Sequence, residues 1–146
     1  MADISPREFR ALAEFRFQIR SFLHFSENAA KDAGVEPQQH QALLAVKALE
    51  PEAARIGTIA ERLQLRHHSA VGLVDRLEEA GLVRRTRLAS DRRSAQVRLT
   101  KKGERVLREL TIHHREELRS AIPALIESLA AILKGTEKKH SHGTRA

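Results

Sequence analysis

Between Arg55 and Arg105 the chain carries 13 lysines and arginines against 6 acidic residues, while the rest of it holds 13 of each sign. The entire net charge of +7 thus falls within one stretch of the 146 residues. Six of the arginines, Arg84, Arg85, Arg87, Arg92, Arg93 and Arg98, crowd into residues 84–98. Guanidinium groups at this density suit a polyanion, because each cation placed near a phosphate releases condensed counterions. A merely solvated basic face is the plainer alternative. Aromatic residues make up 3% of the chain and all five are phenylalanine. That composition argues against the usual platforms for stacking single-stranded bases and leaves duplex binding open.

Other chemistries lack their residues. Cysteine is absent, which excludes disulfides, thiolate nucleophiles and Cys-type metal centres. Of the eight histidines, six lie outside the basic stretch: His24, His40, His113 and His114, with Glu116 and Glu117 near His113 and His114, and His140 and His142 in the tail. Adjacent histidines on a helix point about a quarter-turn apart, and no i, i+4 pair is present, so neither a metal nor another cofactor is expected. A metal-responsive protein is the rival reading. There is no glycine-rich phosphate loop and no Ser/His/Asp grouping in a structural context, so no enzyme is expected. Charge interrupts MADISPREFRALAEF every few residues, and no apolar run approaches the ~18 residues of a membrane span. The expectation is a cytoplasmic chain without membrane contact.

The arginines need a frame to present them. From Phe9 to Lys31 there is no Gly or Pro, and Leu12, Phe15, Ile19, Phe22 and Leu23 recur at helical spacing, which predicts one long amphipathic helix stopped by Gly34. Phe17 and Phe25 lie on another side of it, so it packs between layers, a second chain being one candidate layer. Pro37 opens a short helix with Leu43, Leu44, Val46 and Leu49 as its buried stripe, and Pro51 ends it. Thr58 is a candidate cap for a two-turn helix with Ile59, Ala60 and Leu63 inward. After the polar turn RHHS, Ser69 is a candidate cap for a second helix, in which Ala70, Leu73, Val74 and Leu77 form one stripe before Gly81. Two short helices across a tight turn predict a helix-turn-helix.

From Leu82 the period changes to the alternation of strands, with LVRRTRLA and SAQVRLT flanking a hairpin tip, LASDRR. A hairpin directly after a helix-turn-helix is a wing. Thr100 is placed to cap the next helix, whose path Pro123 is expected to break or kink. Leu118, Ile122, Leu125, Ile126, Leu129 and Leu133 then form a narrow seam that asks for a partner helix. The tail from residue 135, basic and without an apolar stripe, is expected to be disordered.

On the second helix of the module, the side opposite Ala70, Leu73 and Leu77 displays His68, Ser69, Gly72 and Arg76, with Val71 and Asp75 at its flank. This face is the expected major-groove reader. Arg76 either meets phosphate or pairs with Asp75 or Glu79. His67 and His68 either donate to the DNA or form a simple polar turn. Ser69 caps, contacts phosphate, or does both, and Val71 offers methyl groups to thymine unless it is half-buried. Gly72 permits close approach. In the wing, Arg92 and Arg93 suit a narrow minor groove, Arg87 accompanies them, and Asp91 is placed to hold an arginine by a bidentate pair. Arg62 and Arg66 are expected at the DNA backbone.

The strings PQQHQALL, IAERLQL, HHSAVGLVDRLEEAGLVRR and DRRSAQVRLTKKGERVL resemble the MarR (multiple antibiotic resistance regulator) family of winged helix-turn-helix transcription factors, from about Phe9 to Leu133. The resemblance implies a mainly α fold with a small β-hairpin. It divides the chain into helical dimerisation segments at 1–35 and 101–134 and a winged module at 36–100. It also implies a homodimer joined by the N- and C-terminal helices, a pseudo-palindromic operator, use as a repressor, with an architectural protein of weak specificity as the alternative, and an Asp91 to Arg93 link. A small aromatic or anionic effector is implied too, with Phe15, Phe22, Phe25 and His40 as candidate pocket residues or as ordinary core. His40 stands where the family often has a large aromatic residue. LAS occupies a wing stretch where an acidic residue and proline are common. Without cysteine, the thiol-based peroxide-sensing branch is excluded.

Overall fold

A computed structural model describes residues 3–86 and 95–137. The elements run α1 (Pro6–Asp32), α2 (Pro37–Ala48), a single 3-10 turn (Pro51–Ala53), α3 (Ile56–Leu63), α4 (His67–Glu79), β1 (Val83–Thr86), β2 (Gln96–Leu99) and α5 (Lys101–Glu137). They divide into two compact units. One comprises the described residues up to 26 together with those from 113 on, and the other comprises residues 27–112.

In the central unit α2, α3 and α4 close over a core of Leu43, Ile59, Leu73, Leu77, Leu82 and Leu110, all essentially inaccessible to solvent. The hairpin pairs β1 and β2 antiparallel, with Val83 opposite Leu99 and Arg85 opposite Val97. Gly34 ends α1 and Gly81 follows α4 with φ of 79° and 73°, the left-handed conformation expected of both. Thr100 caps α5 as expected, its hydroxyl accepting from the Gly103 amide at 3.1 Å.

Several local expectations are corrected. α1 starts at Pro6, ahead of Phe9, because Ser5 and Glu8 form a reciprocal capping box: the Ser5 amide donates to Glu8 Oε2 at 2.8 Å and the Glu8 amide to Ser5 Oγ at 3.3 Å. Leu44 is exposed and does not share the α2 stripe, which runs instead through Gln39, His40, Ala42, Leu43 and Val46. Thr58 lies inside α3, whose N-cap is Arg55. The extended backbone at Arg55 bridges Gln96, and the Val97 amide donates to the Ala54 carbonyl at 2.8 Å, so sheet pairing ends at residue 55 and the helix begins there.

Ser69 likewise lies inside a helix. Arg66 is the N-cap of α4, and the turn between the two helices is Gln64–Leu65–Arg66. Gln64 there adopts φ of 55°, and the Leu65 amide donates to the Ala60 carbonyl at 2.8 Å. Pro123 does not break α5. Both Pro123 and Arg119 are exposed, so the carbonyl deprived of its amide partner lies on the watered side of the helix. α5 continues through Glu137, so the first three residues of the tail expected to be disordered are helical, while the tip LASDRR and the residues after 137 lie outside the described residues.

Candidate nucleic-acid interface

The apolar stripe of α4 decides which of its side chains face outward. Ala70, Leu73, Val74 and Leu77 are fully buried, which leaves His67, His68, Ser69, Asp75 and Arg76 exposed, and Val71 and Gly72 half-buried. His67, His68 and Ser69 occupy the first turn, where backbone amides lack intrahelical acceptors and the helix dipole favours an anion. Arg62 near the end of α3 and Arg66 at the α4 N-cap are both exposed beside that turn. The structure therefore gathers Arg62, Arg66, His67, His68 and Ser69 around one short segment.

Arg76 has a partner that local spacing does not indicate. Its Nε lies 3.5 Å from Glu36 Oε2, and neither Asp75 nor Glu79 forms that pair. A Cβ built on Gly72 would meet Arg76 Nη1 at 3.6 Å, an ordinary contact, so the guanidinium packs over residue 72 without requiring glycine there. Asp75 is engaged elsewhere, accepting from Nη2 of Arg85 on β1.

In the wing, register places Arg84 directly opposite Arg98. Like charges across a strand pair are destabilising by themselves. Arg98 Nη2 donates to Gln96 Oε1 at 3.2 Å, and Arg84 is exposed. Counting arginines could not single out this pair, since it depends on a register that a sequence with an irregular hairpin tip leaves open. Arg87, Asp91, Arg92 and Arg93 lie outside the described residues.

The four candidate effector residues do not fall in one unit. Phe15 is half-buried, and Phe22 and Phe25 meet His114 edge-on, with ring centroids 5.9 and 5.4 Å away. His114 is buried, with Nε2 at 2.8 Å from Ser26 Oγ. This cluster lies in the unit formed by the two chain ends, whereas His40 is buried in the central unit. The sequence places His114 only among candidate metal ligands, and among the described residues no three His, Asp or Glu side chains gather to hold an ion.

Residues 33–94 match the model of the MarR family. Over 87 residues the chain is 28% identical to YsmB of Bacillus subtilis, an uncharacterized HTH-type transcriptional regulator, and the match spans 60% of each chain. The structure is similar to AbsC, a MarR family transcriptional regulator from Streptomyces coelicolor, with a TM-score of 0.71 and 23% identity over 99% of this chain and 100% of that one. It is also similar to a point mutant of MepR from S. aureus bound to an oligodeoxyribonucleotide, with a TM-score of 0.64 and 21% identity over 86% of this chain and 91% of that one. At these identities the solved structures establish the winged-helix fold.

Proposed function

We propose that this chain, residues 33–94 of which match the model of the MarR family, is a transcriptional regulator that binds a specific duplex operator and represses transcription. The observation that carries this reading is the division of α4. One face is fully buried, and the other exposes His67, His68, Ser69 and Arg76 beside Arg62 and Arg66. A helix so divided enters a major groove with its first turn against phosphate, while the wing arginines follow the backbone into the adjacent minor groove. Arg84 facing Arg98 supports the same reading, because a polyanion relieves their mutual repulsion.

The functional form in this reading is a homodimer on a pseudo-palindrome. Leu12, Ile19 and Leu23 on α1, and Ile126, Leu129 and Leu133 on α5, are all exposed on the single chain. Apolar faces of this extent on long helices favour burial against a second copy. Binding of a small aromatic or anionic effector, with Phe15, Phe22, Phe25 and His40 as candidate contacts, completes the proposal as the means of releasing the operator.

The test is selection of genomic fragments with the purified protein, followed by titration of the best fragment against scrambled DNA at two salt concentrations. A palindromic site preferred by ~1,000-fold or more supports the reading. A steep salt dependence without sequence preference instead favours an architectural protein.

A further inference from the structure

Arg85 differs from every other described wing arginine in where it points. It shares the face of β1 with Val83, which is buried, and stands opposite Val97, also buried. Its side chain is only 23% exposed. Two acidic residues one turn apart on α4 receive it: Nη2 donates to Asp75 Oδ1, and the backbone amide donates to Glu78 Oε2 at 3.1 Å. That amide lies on the outer edge of β1, so Glu78 satisfies a strand-edge donor while Asp75 takes the side chain.

The arrangement serves orientation better than stability. Arg85 Nε is buried and finds no hydrogen-bond partner among the described residues, and a buried donor left unsatisfied is disfavoured. An arginine meant for phosphate would keep its guanidinium in solvent, as Arg84 does. Asp75, on the flank of the reading face, would by itself repel the DNA backbone, and Arg85 neutralises it.

We infer that Arg85 is a positioning residue, not a DNA contact: with Asp75 and Glu78 it clamps the wing to the recognition helix, so that the two enter neighbouring grooves as one body. The inference concerns the geometry of the module, and only its consequence for DNA rests on the function proposed above.

Hydrogen exchange on the full-length protein tests the clamp without DNA. Asp75→Asn should speed exchange of the β1 amides by about tenfold, leave the amides of α1 unchanged, and have no further effect when Arg85→Gln is added. Arg85→Lys, which keeps the charge and loses the planar fork, should behave like Asp75→Asn. Unchanged β1 exchange in either folded variant, or strictly additive effects in the double variant, overturns the clamp whether or not an operator exists.

Titration with DNA then gives a test of opposite sign. Removing a negative charge beside DNA tightens binding by field alone, to specific and scrambled sequences equally. The clamp requires Asp75→Asn to weaken operator binding by about tenfold while scrambled-sequence binding holds or tightens, with wing protection lost from the footprint. Operator affinity equal to or above that of the unaltered protein overturns the link to specificity. A protein without operator preference contradicts the proposed function and leaves the exchange result to decide the clamp.

Discussion

The guanidinium of Arg76 on the reading face of α4 is held against the carboxylate of Glu36, the residue that caps α2, with Nε 3.5 Å from Oε2. Both side chains are about half exposed, so the pair contributes little to stability. Its consequence is for binding, because the arginine must leave Glu36 to meet phosphate. Glu36→Gln is expected to tighten DNA binding about two- to fivefold and to steepen the salt dependence by about one unit of slope. Titrations at several salt concentrations check this, and Arg76→Ala should abolish the difference.

Arg92 and Arg93 are expected to enter the minor groove from the wing. Their joint replacement by alanine should weaken binding and flatten the salt dependence by about one to two units, with the assembly state unchanged. Unchanged affinity removes the wing tip from the interface.

Gly103 in the first turn of α5 lies against the backbone of Leu82, where an added Cβ would overlap the carbonyl oxygen. That oxygen already accepts from the Thr100 amide at 3.0 Å, and Lys102 Nζ donates to the Ala80 carbonyl at 2.9 Å. No rotamer relieves a clash with backbone, so Gly103→Ala should destabilise the protein by about 3 kcal/mol. A thermal melt checks it, with a fall of several degrees expected.

Gln64 occupies the left-handed conformation in the turn between α3 and α4, at φ of 55°. An L-residue there is strained, and glycine relieves that strain at some cost in unfolded-state entropy. Gln64→Gly should therefore stabilise the protein by about 0.5–1 kcal/mol, read from the denaturant midpoint at constant slope.

Leu129 and Leu133 are exposed on the last turns of α5 in the single chain. Replacing both by aspartate should convert the expected dimer to monomer in sedimentation, without loss of helix by circular dichroism. Operator affinity should then fall steeply, because two linked half-sites become two separate binding events. A monomeric unaltered protein overturns the dimer.

The pattern of residues by itself determined the order of elements, the buried stripe of α4, the stops at Gly34 and Gly81, the wing and its concentration of arginine. Each is local: periodicity, capping and conformational permissiveness act within a few residues, so they survive any arrangement of the remaining chain. The start of α3 was not legible because the Arg55 to Gln96 bridge, between residues far apart in sequence, sets where the chain leaves the sheet. The exposure of Leu44 was not legible because which side of α2 is covered depends on its neighbours. Most consequential, composition marks Arg76, Arg84 and Arg85 alike as cations, and only packing separates them. Arg76 meets Glu36 from α2, Arg84 faces Arg98, and Arg85 turns inward to Asp75. Charge is a property of the residue, whereas the choice of counter-ion is a property of the fold, since exposed and buried alternatives differ in desolvation more than in Coulomb attraction.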